Sequence, residues 1–402
     1  MPLSTSSKLN KITVSEALYY AAFALYNFSY ALGITTFEEF IFIPVATWMK
    51  LANVATFLLL VVKFITQRAK FSGWVFAAAV VLVGYVSSRQ SGENWLFWLA
   101  LFVVCAEGVR LLPLARIVFV ISFATFVLAV SFSYIGVIQD VVLSRANGSA
   151  RHSLGFSHPN TAGKQLLVIC TTVSVLRFGK SPWPDILLIV LADILNITLI
   201  DSRTAVILSF VQIAFLLVFY YAKKEKTRDK ILAGLVAAMV LMVCVSLFIM
   251  VNYDASSGIY QLLDNLLSYR PYYQNAYYSM QGIMLFGCSY ENFAPIAWGT
   301  TGAAVTFLVD NAWSHLILRY GIVPTSIFFV GLAALLRKIL VERRWDALAF
   351  GLFLTLTFGL METSGIQFEC NYFLYALGAE VLYGAKGFMK SDTENAVKAE
   401  TA

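Results

Sequence analysis

Long apolar stretches follow one another along almost the whole chain, and two polar segments interrupt them, at about positions 140–160 and 252–310. A helix needs roughly 20 apolar residues to cross a bilayer, and about twelve stretches come near that length. They lie near 15–35, 44–65, 71–88, 94–112, 116–139, 160–178, 184–200, 204–222, 231–251, 311–336, 346–363 and 371–389. Alternating apolar and polar positions are absent, and an open sheet cannot satisfy its backbone in lipid, so the stretches read as helices. The expected fold is an all-α integral membrane protein. Helices 1–9 occupy 1–251, with a loop at about 140–160. A large loop covers 252–310, helices 10–12 cover 311–390, and a short polar tail covers 391–402.

The distribution of Lys and Arg orients these spans, because cytoplasmic loops carry the excess of basic residues. With the N-terminus inside, the cytoplasm receives the run Lys223, Lys224, Lys226, Arg228, Lys230 and the group Arg337, Lys338, Arg343, Arg344. Smaller sets join them: Lys8 and Lys11; Lys63, Arg68 and Lys70; Arg110 and Arg116; Arg177 and Lys180; Lys386, Lys390 and Lys398. The reverse orientation exports the Lys223–Lys230 run. Both termini are therefore expected in the cytoplasm, and both polar segments outside. The chain is 59% hydrophobic and 13% charged, against about 25% charged in a soluble domain. Its net charge of +6 reflects orientation in the lipid bilayer and gives no reason to expect nucleic acid. No small-residue cleavage site follows the first span, which reads as a retained helix. Of five scattered cysteines, Cys288 and Cys370 fall outside, where a disulfide is permitted; sequence does not fix the pairing.

The first polar segment places Arg151, His158 and Lys164 around the outer ends of the helices, with Pro159-Asn160 opening the next one. Each charge also reads as ordinary loop polarity. Asn147-Gly-Ser149 is a glycosylation sequon of a kind common by chance. Gly163-Lys164 does not make a phosphate loop, since position 158 is His and 165 is Gln. In the second segment, Ile259, Leu262, Leu263, Leu266, Leu267, Tyr273, Tyr277 and Met280 have helical spacing. They predict one amphipathic helix lying on the membrane surface. Arg270 sits amid a dense run of tyrosines, which read as an interfacial aromatic belt or as a platform for sugar rings. Arg151 precedes Gly163 by the same interval as Arg270 precedes Gly282.

Two shorter polar sites remain. Asp201-Ser202-Arg203 lies between two spans, where Ser202 reads as a helix cap. In Asp310-Asn311-Ala-Trp-Ser-His315-Leu-Ile-Leu-Arg319, residues Asn311, His315 and Arg319 are spaced to share one face of the next helix. That spacing sets Arg319 about 12 Å along the helix from Asn311. A charge at such depth faces the bundle interior or a wet cavity, and Glu107 and Glu362 are its candidate partners.

With three histidines, no HExxH, no Cys/His cluster, no P-loop and no GxSxG, neither metal nor nucleotide chemistry is expected, and no cofactor. Arginine forks suit phosphate oxygens, and a lipid-linked pyrophosphate is a natural anion at a bilayer surface. Glycosyl transfer from such a donor needs cations to neutralise the leaving pyrophosphate. It also needs a base for the acceptor hydroxyl, which Asp310, His315 or His158 could supply.

Several short motifs resemble the bacterial polysaccharide polymerase and O-antigen ligase superfamily, that is, Wzy-type polymerases and their ligase relatives. Gly155-Phe-Ser-His158-Pro159-Asn160 is similar to the motif opening the sixth span there, and Ser202-Arg203 to the start of the eighth. Leu285-Phe286-Gly287, Asp310-Asn311 and Tyr320-Gly321 resemble the end of the large loop and its following helix. The chain departs in having eleven residues between Arg and Gly, where the polymerases often have ten. It also has Asp310 where the ligases have His before Asn, which favours a polymerase. The resemblance implies a GT-C-like membrane glycosyltransferase of about twelve helices in the bacterial inner membrane. Such an enzyme joins polyprenyl-pyrophosphate-linked oligosaccharide units into O-antigen, capsular or exopolysaccharide, alongside a flippase and a chain-length regulator. Arg203, Arg270, Arg319 and then Arg151 are the expected pyrophosphate ligands, with Asn311 beside them. Asp310, with His315, is the expected catalytic group, and His158 and Asn160 would shape the acceptor side. A ligase and a lipid-linked sugar transporter are the alternatives.

Overall fold

A computed structural model of the chain describes residues 12–67, 69–144, 148–290, 296–298, 303–305 and 309–384. Lys8, Lys11, Arg68, Asn147, Lys386, Lys390, Lys398 and the tail over 391–402 lie outside the described residues. The helices are α1 (Val14–Gly33), α2 (Val45–Thr66), α3 (Phe71–Ser91), α4 (Trp95–Val104), α5 (Leu111–Tyr134), α6 (Pro159–Leu176) and α7 (Trp183–Leu195). They continue with α8 (Arg203–Tyr221), α9 (Glu225–Asn252), α10 (Gly258–Leu267), α11 (Arg270–Gln281), α12 (Ala312–His315), α13 (Ile322–Val341) and α14 (Ala347–Phe358). Three two-stranded antiparallel hairpins interrupt them: β1 (Glu39–Phe40) with β2 (Ile43–Pro44), β3 (Val142–Ser144) with β4 (Ala150–His152), and β5 (Ile296–Trp298) with β6 (Ala303–Val305).

Seven of the described helices are long and apolar enough to cross a membrane: α2, α3, α5, α7 with its extension to Ile200, α8, α9 and α13. On α9, Val240, Leu241 and Phe248 each remain more than half exposed on the protein itself. Apolar surface on this scale is compatible with lipid and not with water. The protein is thus a mostly helical, multi-pass membrane protein.

The three stretches near 94–112, 346–363 and 371–389 take a different form from the long helices. α4 has ten residues and α14 twelve, about 15 and 18 Å at 1.5 Å per residue, against a hydrocarbon core of about 30 Å. The third forms short helical turns over Tyr372–Tyr375 and Leu377–Leu382. α4 and α14 are apolar on nearly every side, and a helix of that kind is buried; the third segment is apolar except for Glu380, which pairs with Lys338 and Arg344. Phe102, Phe350, Phe353 and Tyr372 are fully enclosed. Irregular backbone between them is tolerated where protein supplies its partners: the buried Asn371 side-chain amide donates to the Gly365 carbonyl at 2.6 Å.

The stretch near 311–336 is interrupted. α12 lasts four residues, a wider π turn follows over Leu316–Tyr320, and Gly321 at φ 90° ends it before α13 begins. The incoming segment 284–288 docks on this break. The Cys288 N–H donates to the Arg319 carbonyl at 3.1 Å, Ile322 to Met284 at 2.9 Å, and Val323 to Leu285 at 3.1 Å. A Cβ on Gly287 would lie 2.0 Å from the Arg319 carbonyl oxygen, and one on Gly321 would lie 2.3 Å from the Gly287 nitrogen. Both positions need glycine for this backbone-to-backbone approach, which explains why Leu285-Phe286-Gly287 and Tyr320-Gly321 stand out in the sequence.

Where one amphipathic helix is expected after α9, two form. Ser268 and Tyr269 both adopt left-handed backbone, at φ 54° and 62°, a conformation unfavourable for residues with side chains. Asp264 holds this corner. Its carboxylate accepts the Tyr253 hydroxyl at 2.5 Å and the Tyr272 N–H at 3.1 Å, and its carbonyl accepts the Tyr269 N–H at 2.8 Å. α10 leaves Ile259, Leu262 and Leu266 exposed, while α11 buries Tyr273 and Tyr277.

Candidate active site

The β3–β4 hairpin sets Leu143 opposite Arg151. Asp140 pins the hairpin by accepting from the Leu154 N–H at 2.8 Å and pairing with His152 at 2.5 Å. Burial pushes the Asp140 carboxyl up, but its hydrogen bonds from His152, Leu154 and Ser153 outweigh that and hold it below the usual range. Arg151 thereby reaches both neighbouring helix starts. Its Nε donates to the Asp201 carbonyl at 3.2 Å and its Nη2 to the Asn160 side chain at 2.5 Å. His158 caps α6, its Nδ1 accepting the Asn160 N–H at 3.0 Å. Burial, then the Arg151 charge, lowers the His158 pKa against the pull of Asp310, in keeping with a neutral ring that accepts at Nδ1.

α8 starts beside this group. The Asn196 side chain clamps Ser202, donating to its carbonyl at 3.2 Å and accepting its N–H at 3.0 Å. The Ser202 hydroxyl makes no capping bond; its side chain packs on Gly163, where a Cβ would come within 2.7 Å of the Ser202 Cβ. Gly163 is thus a helix–helix contact, whereas Gly282 terminates α11. The equal Arg-to-Gly intervals reflect two different structural causes. Arg203 is exposed and makes no ion pair or hydrogen bond with the described residues.

The left-handed corner at Ser268-Tyr269 turns Arg270 onto the start of α8. Its Nη2 donates to the Thr204 hydroxyl at 3.2 Å and lies 3.2 Å from Asp310 Oδ2 and 3.9 Å from Glu362 Oε1. Its Nη1 donates to the Leu267 carbonyl at 3.2 Å, and its buried Nε has no hydrogen-bond partner among the described residues. The Arg270 side chain is 9% exposed, Glu362 15% and Asp310 39%, so Asp310 is the more accessible carboxylate. Glu362 lies in the loop after α14. Burial, and then the neighbouring Asp310 charge, push its carboxyl up to about 7, with Lys164 and Arg270 opposing. One mouth therefore gathers Arg151, His158, Asn160, Arg270, Asp310 and Glu362, and Arg203 is exposed at the start of α8 next to Thr204.

His315 and Arg319 belong to a separate, enclosed network centred on Glu93, in the short turn between α3 and α4. Glu93 lies 3.1 Å from His315 Nε2 and 3.3 Å from Arg319 Nη2, and accepts the Tyr320 hydroxyl at 3.2 Å. Burial raises the Glu93 carboxyl, but His315, Arg319 and Tyr320 together hold it below its usual value. Trp95 stacks on His315 with ring centres 5.4 Å apart, and Arg319 lies 4.5 Å from the centre of the Tyr290 ring. The partner of Arg319 is thus Glu93, in place of the expected Glu107 or Glu362. The π turn also removes the single regular face expected for Asn311, His315 and Arg319. Asn311 is occupied as the cap of α12, accepting from Trp313 and Ser314 N–H at 3.0 Å and donating to Ser246 at 2.9 Å. Cys370 is a free thiol beside the Tyr30 hydroxyl, so the Cys288–Cys370 pair does not form.

Glu93 is not singled out by local spacing, and Glu362 lies beside Arg270 instead of Arg319. The available signal is charge balance: a buried arginine requires a carboxylate, and Glu93 stands in the three-residue turn over 92–94 between α3 and α4. Comparison with protein-family models, curated proteins and solved structures finds no match to this chain.

Proposed function

We propose that the protein is a metal-independent membrane glycosyltransferase that polymerises polyprenyl-pyrophosphate-linked oligosaccharide units at the outer face of the bacterial cytoplasmic membrane. In this reading both termini are cytoplasmic, and the helices besides the seven long ones complete a twelve-span, GT-C-like bundle. The observation that carries it is the convergence of Arg151 and Arg270 on the start of α8, with the Asp310–Glu362 carboxylate pair beside Arg270. Fixed guanidinium groups beside carboxylates match the two demands of the reaction. A hydroxyl oxygen of the incoming unit attacks the anomeric carbon of the growing chain. The bond from that carbon to the pyrophosphate oxygen breaks, and the polyprenyl pyrophosphate leaves with the electron pair. The arginines balance its charge, while the carboxylate pair takes the hydroxyl proton. Asp310 is the accessible member and Glu362 the one with proton affinity near neutrality. His158 and Asn160 border the acceptor side. Arg319, paired with Glu93, and His315, bonded to the same carboxylate, support the site instead of binding substrate.

The test is the size distribution of surface polysaccharide in cells lacking the protein, complemented with wild type, Asp310→Asn or Glu362→Gln. Single repeat units in place of a ladder are expected from the deletion and from an inactive variant. Long polymer that stays lipid-linked would replace this reading with a ligase, and failure of any unit to reach the surface would replace it with a transporter.

A further inference from the structure

The opposite ends of α6 and α8 enclose a second polar cavity, of about 260 Å³. The 18 residues of α6 separate it from the Arg270 mouth by about 27 Å, close to the roughly 30 Å of a hydrocarbon core. Four cations line it: Arg177 and Lys180 after α6, and Lys223 and Arg228 around the α8–α9 turn. Asp185 is the single carboxylate in the lining, and it is committed to Arg177, 3.1 Å from its Nε. Lys180, Lys223 and Arg228 form no ion pair with the described residues.

The cavity is built on a fixed aromatic wall. Trp345 stacks on Phe219 with ring centres 4.2 Å apart, and its indole N–H donates to the Phe219 carbonyl at 3.1 Å. Arg228 is held over the Trp345 ring at 5.6 Å by a 2.8 Å bond from its Nε to the Ala222 carbonyl. Lys223 Nζ lies 4.3 Å from the centre of the Tyr220 ring. Lys224 and Lys226, from the same basic run, are exposed and do not line the cavity. The run therefore divides into residues that orient the chain in the membrane and residues that converge on a concave site.

We propose that this cavity binds a phosphate-bearing anion at the membrane face opposite the Arg270 mouth, through Arg177, Lys180, Lys223 and Arg228. Three uncompensated cations around one concavity favour a ligand of at least one negative charge. Basic pockets between membrane helices recognise phosphorylated headgroups by this chemistry, and guanidinium groups fit phosphate oxygens in pairs. The source is either an anionic phospholipid of that leaflet or a free phosphate. The proposal is independent of the reaction at the mouth.

The purified full-length protein in detergent should be titrated with phosphatidylglycerol, phosphatidylcholine and inorganic phosphate, with retention read by native mass spectrometry and thermal unfolding. Wild type is expected to retain phosphatidylglycerol over phosphatidylcholine. Lys180→Glu with Lys223→Glu should weaken retention at least about tenfold, and Lys224→Glu with Lys226→Glu should leave it unchanged. Displacement of the lipid by inorganic phosphate would assign the site to a free phosphate. Equal loss in both double variants would reduce the effect to diffuse charge and overturn the proposal. So would a wild-type protein that neither prefers the anionic lipid nor binds phosphate, a result that needs no variant to fold.

Discussion

The guanidinium of Arg270 and the carboxylate of Asp310 meet at 3.2 Å although 40 positions of the large polar segment separate them. The contact closes that segment on itself, over the start of α8. Arg270→Lys is expected to lose polymer yield by about a hundredfold, the scale of removing one preorganised charge-stabilising donor. Lysine keeps the charge and loses the planar fork whose Nη2 meets Thr204 and Asp310 and whose Nη1 meets the Leu267 carbonyl. Full polymer length from the lysine variant would remove the forked role.

If Glu362 takes the proton in the proposed reaction, the rate is expected to depend on pH near neutrality. A carboxyl with a pKa of about 7 is ionised above that pH and protonated below it, so a rate that needs the base should fall as pH drops through about 7. Asp310 is one of the charges that raise this value. In Asp310→Asn the acid limb of the residual activity should therefore move to lower pH. The measurement is a pH–rate profile of polymerisation in a purified system, and an unmoved limb in the variant would separate Glu362 from the proton transfer.

Arg203 and Glu93 should behave oppositely. Arg203 is exposed and bonded to nothing described, so Arg203→Ala is expected to reduce activity while leaving the unfolding temperature within a degree or two. Glu93 is held by a buried histidine and a buried arginine. Glu93→Gln leaves Arg319 without its countercharge, at a cost of about 3–5 kcal/mol. Thermal unfolding in detergent distinguishes the two, and an Arg203→Ala protein as unstable as Glu93→Gln would contradict the assignment.

A pair of glycine substitutions tests the packing that forms the mouth. Gly163→Ala drives a methyl group to 2.7 Å from the Ser202 Cβ and should separate α6 from α8, lowering both stability and activity. Gly234→Ala, on α9, meets nothing within 4 Å and should leave the protein unchanged or stabilise it by about 0.5–1 kcal/mol. Equal tolerance of both would mean that the α6–α8 contact is looser than the structure has it.

Much of the fold is legible in the sequence. The apolar runs of α2, α3, α5, α8 and α9 state their length and solvent directly. The polar mouth was legible as a set of arginines outside the apolar runs. What sequence could not supply was partnership across distance. Arg319 and Glu93 are joined by tertiary packing over more than two hundred positions, and a local reading chose glutamates closer to apolar stretches. The break at Ser268-Tyr269 has a local signal in Pro271, which falls in the first turn of α11 and cannot continue a helix arriving from α10. The left-handed turn itself is sustained by Asp264 and its bonds, which apolar spacing alone does not reveal.

The backbone contact between Gly287 and Gly321 has an evolutionary consequence. Each glycine exists because the other strand lies against it, so neither position is free to vary alone. A side chain at either one would part the docked segment from the span that carries Arg319. The two positions should therefore be retained or lost together in lineages that keep this architecture, and a chain that has lost one should have rebuilt the break between α12 and α13.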